Sequence, residues 1–309
     1  MSTLKFDNAK LLETLRIWKK RLTPTLGPVV ICIFLYLIWN YRDIILNTFR
    51  QIGILRLAIM IFFLAITIIF TVYALVILVR DKGYTFGFAD GYHSLNLSQL
   101  ASMIPGGVWG YAGFAGMLWA KGIARLDGVI IIFTYTLVML SACVIVGFSG
   151  LITILGWGYA VIFLFPFLFL LLGRNWMDKI RGKHYPQSSP LPSASALLKA
   201  LFLGILVWII TASCCAWLLY AGNGRVIPFL TIVGAYTTGY LGGYIAILVP
   251  SGLGISEGLV TLLLGSYMDA EKIMATAISF RIVHMSIVWF NMLMSVILTS
   301  GSAMKNTKQ

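Results

Sequence analysis

The sequence predicts an all-α polytopic membrane protein with about six full spans and two re-entrant helical hairpins arranged as inverted repeats. Hydrophobic residues make up 60% of its 309 positions, and charged residues make up only 11%. Soluble domains carry about 25% charged residues and need a polar surface. Two Pro/Gly-rich breaks within apolar stretches predict the hairpins. A soluble enzyme and a nucleic-acid binder are therefore excluded, despite a formal net charge of +13.

A membrane-spanning helix needs about 20 predominantly apolar residues. Six stretches meet or approach this length: 26–40, 55–79, 128–148, 151–172, 198–220 and 272–299. The predicted turn between the third and fourth stretches is marked only by Gly147, Ser149 and Gly150.

Polar segments flank and divide the membrane region. Residues 173–197 form a predicted basic cytoplasmic linker between a first membrane half, 26–172, and a second half, 198–299. Residues 1–25 combine apolar side chains at helical spacing with basic ones. This segment is interpreted either as an amphipathic helix on the anionic cytoplasmic leaflet or as a basic anchor for the first span. Residues 300–309 form a predicted cytoplasmic tail.

Two regions, 84–120 and 227–266, are interrupted by Pro and Gly and are predicted to enter and leave the membrane on the same side. Broken backbone at membrane depth is tolerated only where it is buried in protein or lines a wet cavity. The two breaks align at an offset of 145 residues, which matches Pro105 with Pro250. An internal repeat of this kind is typical of transporters.

The distribution of positive charge predicts the orientation, because Lys and Arg concentrate in cytoplasmic segments. With a cytoplasmic N-terminus, the segments predicted inside hold 17 of the 23 Lys and Arg residues. Those predicted outside hold five, and Arg281 falls within the last span. This orientation places both termini in the cytoplasm and predicts a multi-pass protein of the cell membrane. The first hairpin then enters from the cytoplasm and the second from the opposite face.

The two breaks carry a family resemblance. Their motifs read Ile104-Pro105-Gly106-Gly107-Val108-Trp109 and Val249-Pro250-Ser251-Gly252-Leu253-Gly254-Ile255-Ser256-Glu257-Gly258, and Phe280-Arg281 follows the second. Over roughly residues 55–299, the chain resembles the lysylphosphatidylglycerol synthase transmembrane (flippase-like) family, which includes the membrane half of the multiple peptide resistance factor. The resemblance implies a stand-alone membrane domain. We expect no lysine transfer to phosphatidylglycerol, because the aminoacyl-transfer domain of the resistance factor is missing from this sequence.

The candidate substrate-binding residues lie at the breaks and on the last span. They are Pro105, Gly106, Gly107, Trp109, Pro250, Gly252, Gly254, Ser256, Glu257, Arg281 and His284. An ionisable group at membrane depth usually faces a cavity or a partner. Glu257 could therefore relay a proton, bind a cationic group or form a structural pair with Arg281.

Arg281 could also hold a phosphate directly. His284, one helical turn further on, could face the same ligand or simply pack. The helices that follow the breaks begin with free N–H groups that suit an anionic headgroup. The alternative is that the glycines only allow close helix packing.

These features predict the translocation (flipping) of an anionic amphiphilic lipid, or of a lipid-linked sugar, between membrane leaflets. The alternative is a non-transporting membrane subunit of a glycolipid or cell-envelope biosynthesis complex, partnered by a glycosyltransferase or another envelope-biosynthesis protein. An enzyme is not expected, since the spans contain no recognisable catalytic motif. We expect no cofactor, metal or nucleic acid. A homo-oligomer stays open, because Gly239, Gly242 and Gly243 could serve either folding or dimer contacts.

Overall fold

The computed structural model describes residues 31–102, 109–155, 190–221, 227–246 and 249–306, with short stretches between 165 and 179. The predicted N-terminal segment 1–25 lies outside the described residues. So do most of the linker 173–197 and the candidate residues Pro105, Gly106 and Gly107 of the first break.

All regular structure in these ranges is helical. The main helices are α1 (Ile31–Asn40), α2 (Arg42–Asp81), α3 (Phe88–Ala101), α4 (Trp109–Ala120), α5 (Arg125–Leu155), α6 (Ala194–Ala221), α7 (Phe229–Ile245), α8 (Ile255–Leu264) and α9 (Ala270–Asn306), with a short 3-10 turn at Pro250–Gly252. Within the described ranges, α2, α5, α6 and α9 are long and apolar enough to cross a membrane. The chain is therefore a multi-pass helical membrane protein.

The four long helices contain the predicted spans 55–79, 128–148, 198–220 and 272–299. Helix α2 changes direction at Gly53, whose φ of 74° interrupts the helix just before the predicted start of its span. One predicted boundary is wrong, because α5 continues through Gly147 and Gly150 to Leu155. A helix inside lipid keeps its backbone hydrogen bonds, so isolated small residues do not end it.

The other two predicted spans are described only in part. The first, 26–40, is represented by α1. In the stretch 151–172, residues 151–155 form the end of α5 and residues 167–172 are helical. In that stretch Phe167 and Leu170 are buried against α2, α5 and α6. This piece of helix therefore belongs to the membrane core.

The two broken regions form pairs of short helices, α3 with α4 and α7 with α8, that pack against each other. The longest, α7, has 17 residues. At 1.5 Å per residue it is about 26 Å long, shorter than a hydrocarbon core of about 30 Å. No helix of either pair is therefore long enough to cross the bilayer alone.

Each helix pair begins and ends at the same end of the molecule. In the first pair, Lys121 after α4 forms an ion pair with Asp90 in the first turn of α3, at 2.5 Å. In the second pair, Gly243 near the end of α7 lies against Gly252 at the break, whereas Gly239, one turn earlier, lies against Val260 of α8, so the two helices run antiparallel. Both pairs therefore have the connectivity of hairpins.

The central helices α2 and α6 run antiparallel. The N–H and hydroxyl of Ser193, just before α6, donate to the carboxylate of Asp81 at the end of α2. At the opposite end, Ile52 of α2 packs in one cluster with Cys214 and Leu218 of α6.

The packing repeats when the unit α2–α5 is exchanged with the unit α6–α9. The contact of α2 with α3 corresponds to that of α6 with α7, and α4 with α5 corresponds to α8 with α9. Across the units, α5 packs on α7 and α6, whereas α9 packs on α3 and α2. Helix α5, which follows the first hairpin, therefore packs on α7, the first helix of the second hairpin. Helix α9, which follows the second hairpin, packs on α3, the first helix of the first hairpin.

A buried ion pair fixes the end where the first hairpin begins. The side chain of Lys82 is fully buried and lies 3.0 Å from Asp127. Lys82 also donates to the carbonyl of Pro190, and the hydroxyl of Tyr84 donates to Asp127 at 2.7 Å. The connections α2–α3 and α4–α5 and the residues before α6, all predicted to be cytoplasmic, thus meet at one end.

Close helix contact within the second hairpin depends on glycine. A Cβ atom on Gly239 of α7 would lie 2.7 Å from the carbonyl oxygen of Ser256 in α8, and Gly243 faces Gly252 and Ser256. Gly242 faces Leu259 of α8. All three glycines of the patch therefore take part in packing within the fold, and their possible use in dimer contacts stays a prediction.

We expect Gly239→Ala to lower the free energy of unfolding by about 1–3 kcal/mol, because the added methyl group overpacks the α7–α8 contact. Thermal unfolding in detergent measures this. The matched control is Gly258→Ala in α8, where the new Cβ meets nothing within 4 Å. That variant should be neutral or stabilised by about 0.5–1 kcal/mol. Equal unfolding temperatures for the two variants would contradict the packing described.

Candidate functional site at the second hairpin

The break in the second hairpin is a sharp left-handed turn. Ser251, Gly252 and Gly254 have φ angles of 49°, 67° and 80°. Glycine adopts such angles without a steric penalty, and Gly252 also lies so close to Gly243 that a side chain has no room. Pro250 opens the 3-10 turn that starts the break. These predicted site residues therefore shape the backbone.

Glu257 joins this turn to the last long helix. One carboxylate oxygen accepts the backbone N–H of Gly254 at 2.7 Å, which caps the start of α8. The other oxygen lies 2.6 Å from Nε of Arg281 in α9. The side chains are 4% and 15% exposed, respectively. The structure thus contains the predicted structural pair and adds a capping role for the carboxylate.

The Arg281 guanidinium is only partly used by this pair. Among the described residues, its two terminal nitrogens donate to no acceptor, since only Nε is hydrogen-bonded. Neither of these nitrogens is fully enclosed by the described residues, so both keep some accessible surface. His284 lies one turn further along α9 with its ring stacked on Phe280 at 6.4 Å. His284 therefore packs within the fold, which is one of its two predicted roles.

The two hairpins meet close to the pair of Glu257 and Arg281. The hydroxyls of Tyr111, in the first turn of α4, and Tyr244, near the end of α7, are in direct hydrogen-bond contact. Gly243, next to Tyr244, lies against Ser256 in the first turn of α8. The helix starts that follow the two breaks are therefore connected through α7. Trp109, the first residue of α4, is 52% exposed close to this contact.

Sequence reasoning missed an aromatic row on α7. Tyr236, Tyr240 and Tyr244 are spaced i, i+4 and i+8, which places them on one helix face. Tyr236 packs edge-on against Phe280 at 5.4 Å, and Tyr240 packs against Trp208 at 4.5 Å. The spacing was the available signal. The row extends from the neighbourhood of Arg281 to the contact between the hairpins.

Polar side chains of the first hairpin bind α9. His93 Nδ1 lies 2.7 Å from the hydroxyl oxygen of Ser295, and the hydroxyl of Tyr92 donates to Asn291. Burial would raise the pKa of Asp90, but hydrogen bonds from Lys121 and the Gly87 N–H outweigh this and hold that pKa below its usual range. Helix α9 thus carries polar contacts to both hairpins.

No group of three His, Cys, Asp or Glu side chains within the described ranges is placed to hold a metal ion. The site offers one carboxylate, one guanidinium with free donors, and several hydroxyls. This donor set suits hydrogen bonding to an anionic, oxygen-rich group.

The chain is thus a multi-pass helical membrane protein with a buried acid–base pair at a Pro/Gly break. The model of the lysylphosphatidylglycerol synthase TM region family matches residues 25–293, so the chain belongs to that family. A comparison with curated proteins found no match.

We expect Arg281→Leu to destabilise the protein by about 3–5 kcal/mol, because it leaves the buried Glu257 carboxylate without its partner. The double variant Glu257→Gln/Arg281→Leu should recover much of this loss, because glutamine is neutral and still accepts the Gly254 N–H. Thermal unfolding of the wild type, both single variants and the double variant gives the coupling between the two residues. Additive effects would contradict a direct pair.

Proposed function

We propose that the chain translocates an anionic amphiphilic lipid, or a lipid-linked sugar, between the two leaflets of the cell membrane. The headgroup would cross through the polar site between the hairpins, while the acyl chains stay in the bilayer. Family membership supports a role in lipid handling or envelope biosynthesis. The proposal that this role is lipid translocation rests on the geometry of the site.

The observation that carries this proposal is the partly unsatisfied guanidinium of Arg281 within the membrane region. A charge at this depth is costly and is usually retained where it faces a substrate path or a partner. Glu257 neutralises the charge but occupies only one of its donor nitrogens. The remaining N–H groups have the geometry to bind a phosphate by two hydrogen bonds.

We infer an inverted-repeat architecture with six spans. The antiparallel arrangement of α2 and α6, and the packing that repeats on exchange of the two units, support it. In this arrangement each hairpin would start and end at its own end of the molecule, and the contact of Tyr111 with Tyr244 would lie between the ends. In transporters with such repeats, substrate sites lie where the broken helices meet.

The orientation follows from the charges. The end that contains Lys82, Lys121 and Pro190 is assigned to the cytoplasm, because its connecting segments carry most of the basic residues. The end that contains Asp269 and Glu271 then faces outward. Both termini would be cytoplasmic.

Leaflet exchange in liposomes tests the function. Purified protein is reconstituted with a fluorescent anionic phospholipid, and exchange is followed by quenching of the outer leaflet. We expect Glu257→Gln to slow exchange by roughly tenfold or more, since each 1.4 kcal/mol of barrier corresponds to a factor of ten. The variant keeps the cap on α8 but alters the charge that holds Arg281.

The matched control is Glu271→Gln, an identical change at an exposed position in the first turn of α9. It should exchange lipid at the wild-type rate. Equal exchange by the wild type and Glu257→Gln would contradict the role of the pair. Absence of exchange with every anionic lipid tried, from folded wild-type protein, would contradict translocation. That result would favour the non-transporting subunit, which should co-purify with an envelope-biosynthesis partner.

A further inference from the structure

We propose that the aromatic row on α7 selects a headgroup that contains a ring polyol, a sugar or a cyclitol, joined to its lipid through a phosphate. This inference rests on the proposed translocation function and names its substrate class. It comes from hydroxyl groups near Arg281 that lack partners among the described residues.

Three tyrosine hydroxyls near the hairpin contact lack a partner among the described residues. Tyr135 of α5 and both Tyr236 and Tyr240 of α7 donate to no acceptor in the part of the chain that the structure describes. A buried hydroxyl left unpaired costs roughly 1–3 kcal/mol. At membrane depth, lipid tails cannot supply a partner. Water or the hydroxyls of a ligand can supply the partners that the described residues do not.

The aromatic row begins close to the cation. Tyr236 packs edge-on against Phe280, the residue before Arg281, and Tyr240 lies one helical turn further along α7. Tyr135 of α5 packs on the same buried cluster as Tyr236. The cluster thus combines one phosphate-binding group with several hydroxyls that no other described residue engages.

The aromatic rings provide surfaces that the apolar parts of such a ligand can contact. Tyr240, Tyr244 and Tyr111 are 36%, 37% and 40% exposed, so parts of their rings are available for contact. Binding sites for small molecules typically pair aromatic walls with a few placed polar groups. A ring polyol has apolar C–H groups that can contact such walls, and hydroxyls at its rim that can bond the tyrosines. A bare phosphate headgroup would use Arg281 alone.

The hydroxyls are not needed for the fold as described. Tyr236 and Tyr240 pack through their rings, against Phe280 and Trp208 respectively. Replacement by phenylalanine preserves these rings and leaves no described group without its partner. The double variant Tyr236→Phe/Tyr240→Phe therefore separates selectivity from stability.

The test compares the binding of three lipids with identical acyl chains: phosphatidylinositol, phosphatidylglycerol and phosphatidic acid. Dissociation constants are measured through tryptophan fluorescence of the purified protein in detergent. We expect phosphatidylinositol to bind about tenfold more tightly than phosphatidic acid, the effect of one or two net hydrogen bonds. The double tyrosine variant should lose this preference and bind phosphatidic acid unchanged. Tyr73→Phe, a matched change at an exposed tyrosine of α2, should keep the preference.

The test distinguishes failure of the ring-polyol assignment from failure of the anionic site. Equal affinity for phosphatidylinositol and phosphatidic acid, or a preference that survives in the double variant, would overturn the ring-polyol assignment and leave the anionic site intact. Tightest binding of phosphatidylglycerol would overturn it too, in favour of an open-chain diol. Phosphatidic acid binding that is unaffected by Arg281→Gln would instead count against the anionic site on which the proposed function depends.

Discussion

The fold depends on satisfying backbone that is broken at membrane depth. Lipid offers no hydrogen bonds, so a Pro/Gly break inside the membrane region must find partners within the protein. At the second hairpin the partner is Glu257, which accepts the Gly254 N–H and in turn binds Arg281 of α9. One carboxylate thereby stabilises the turn, fixes α8 against the last span and holds a cation in the interior. The break and the charge are therefore a single structural unit.

The exchange symmetry of the packing explains how the two hairpins are held. Each is supported by the long helix of the other unit, α3 by α9 and α7 by α5. Helix α9 binds both hairpins, through Arg281 to the second and through Asn291 and Ser295 to the first. A shift of one hairpin would thus change the surroundings of the other.

Much of the architecture is predictable from local sequence. Apolar length identifies the long helices, and Pro with Gly identifies the breaks, because both signals reflect chain-local physics. The pairing of Glu257 with Arg281 was one of the expected alternatives, since isolated charges in membranes seek partners. The contact of Tyr111 with Tyr244 and the pair of Lys82 with Asp127 were not predictable. They depend on which helices become neighbours, and residues so far apart in sequence carry no local signal of their pairing.

In the proposed architecture the two hairpins enter the membrane from opposite faces. Single cysteines at Ala124, next to the first hairpin, and at Asp269, next to the second, test it in a Cys32→Ser background, because the other cysteines are buried. Both positions are exposed. A membrane-impermeant maleimide applied to sealed, right-side-out vesicles should label Asp269→Cys at once and Ala124→Cys only after permeabilisation. Labelling of both positions from the same side would contradict the inverted arrangement.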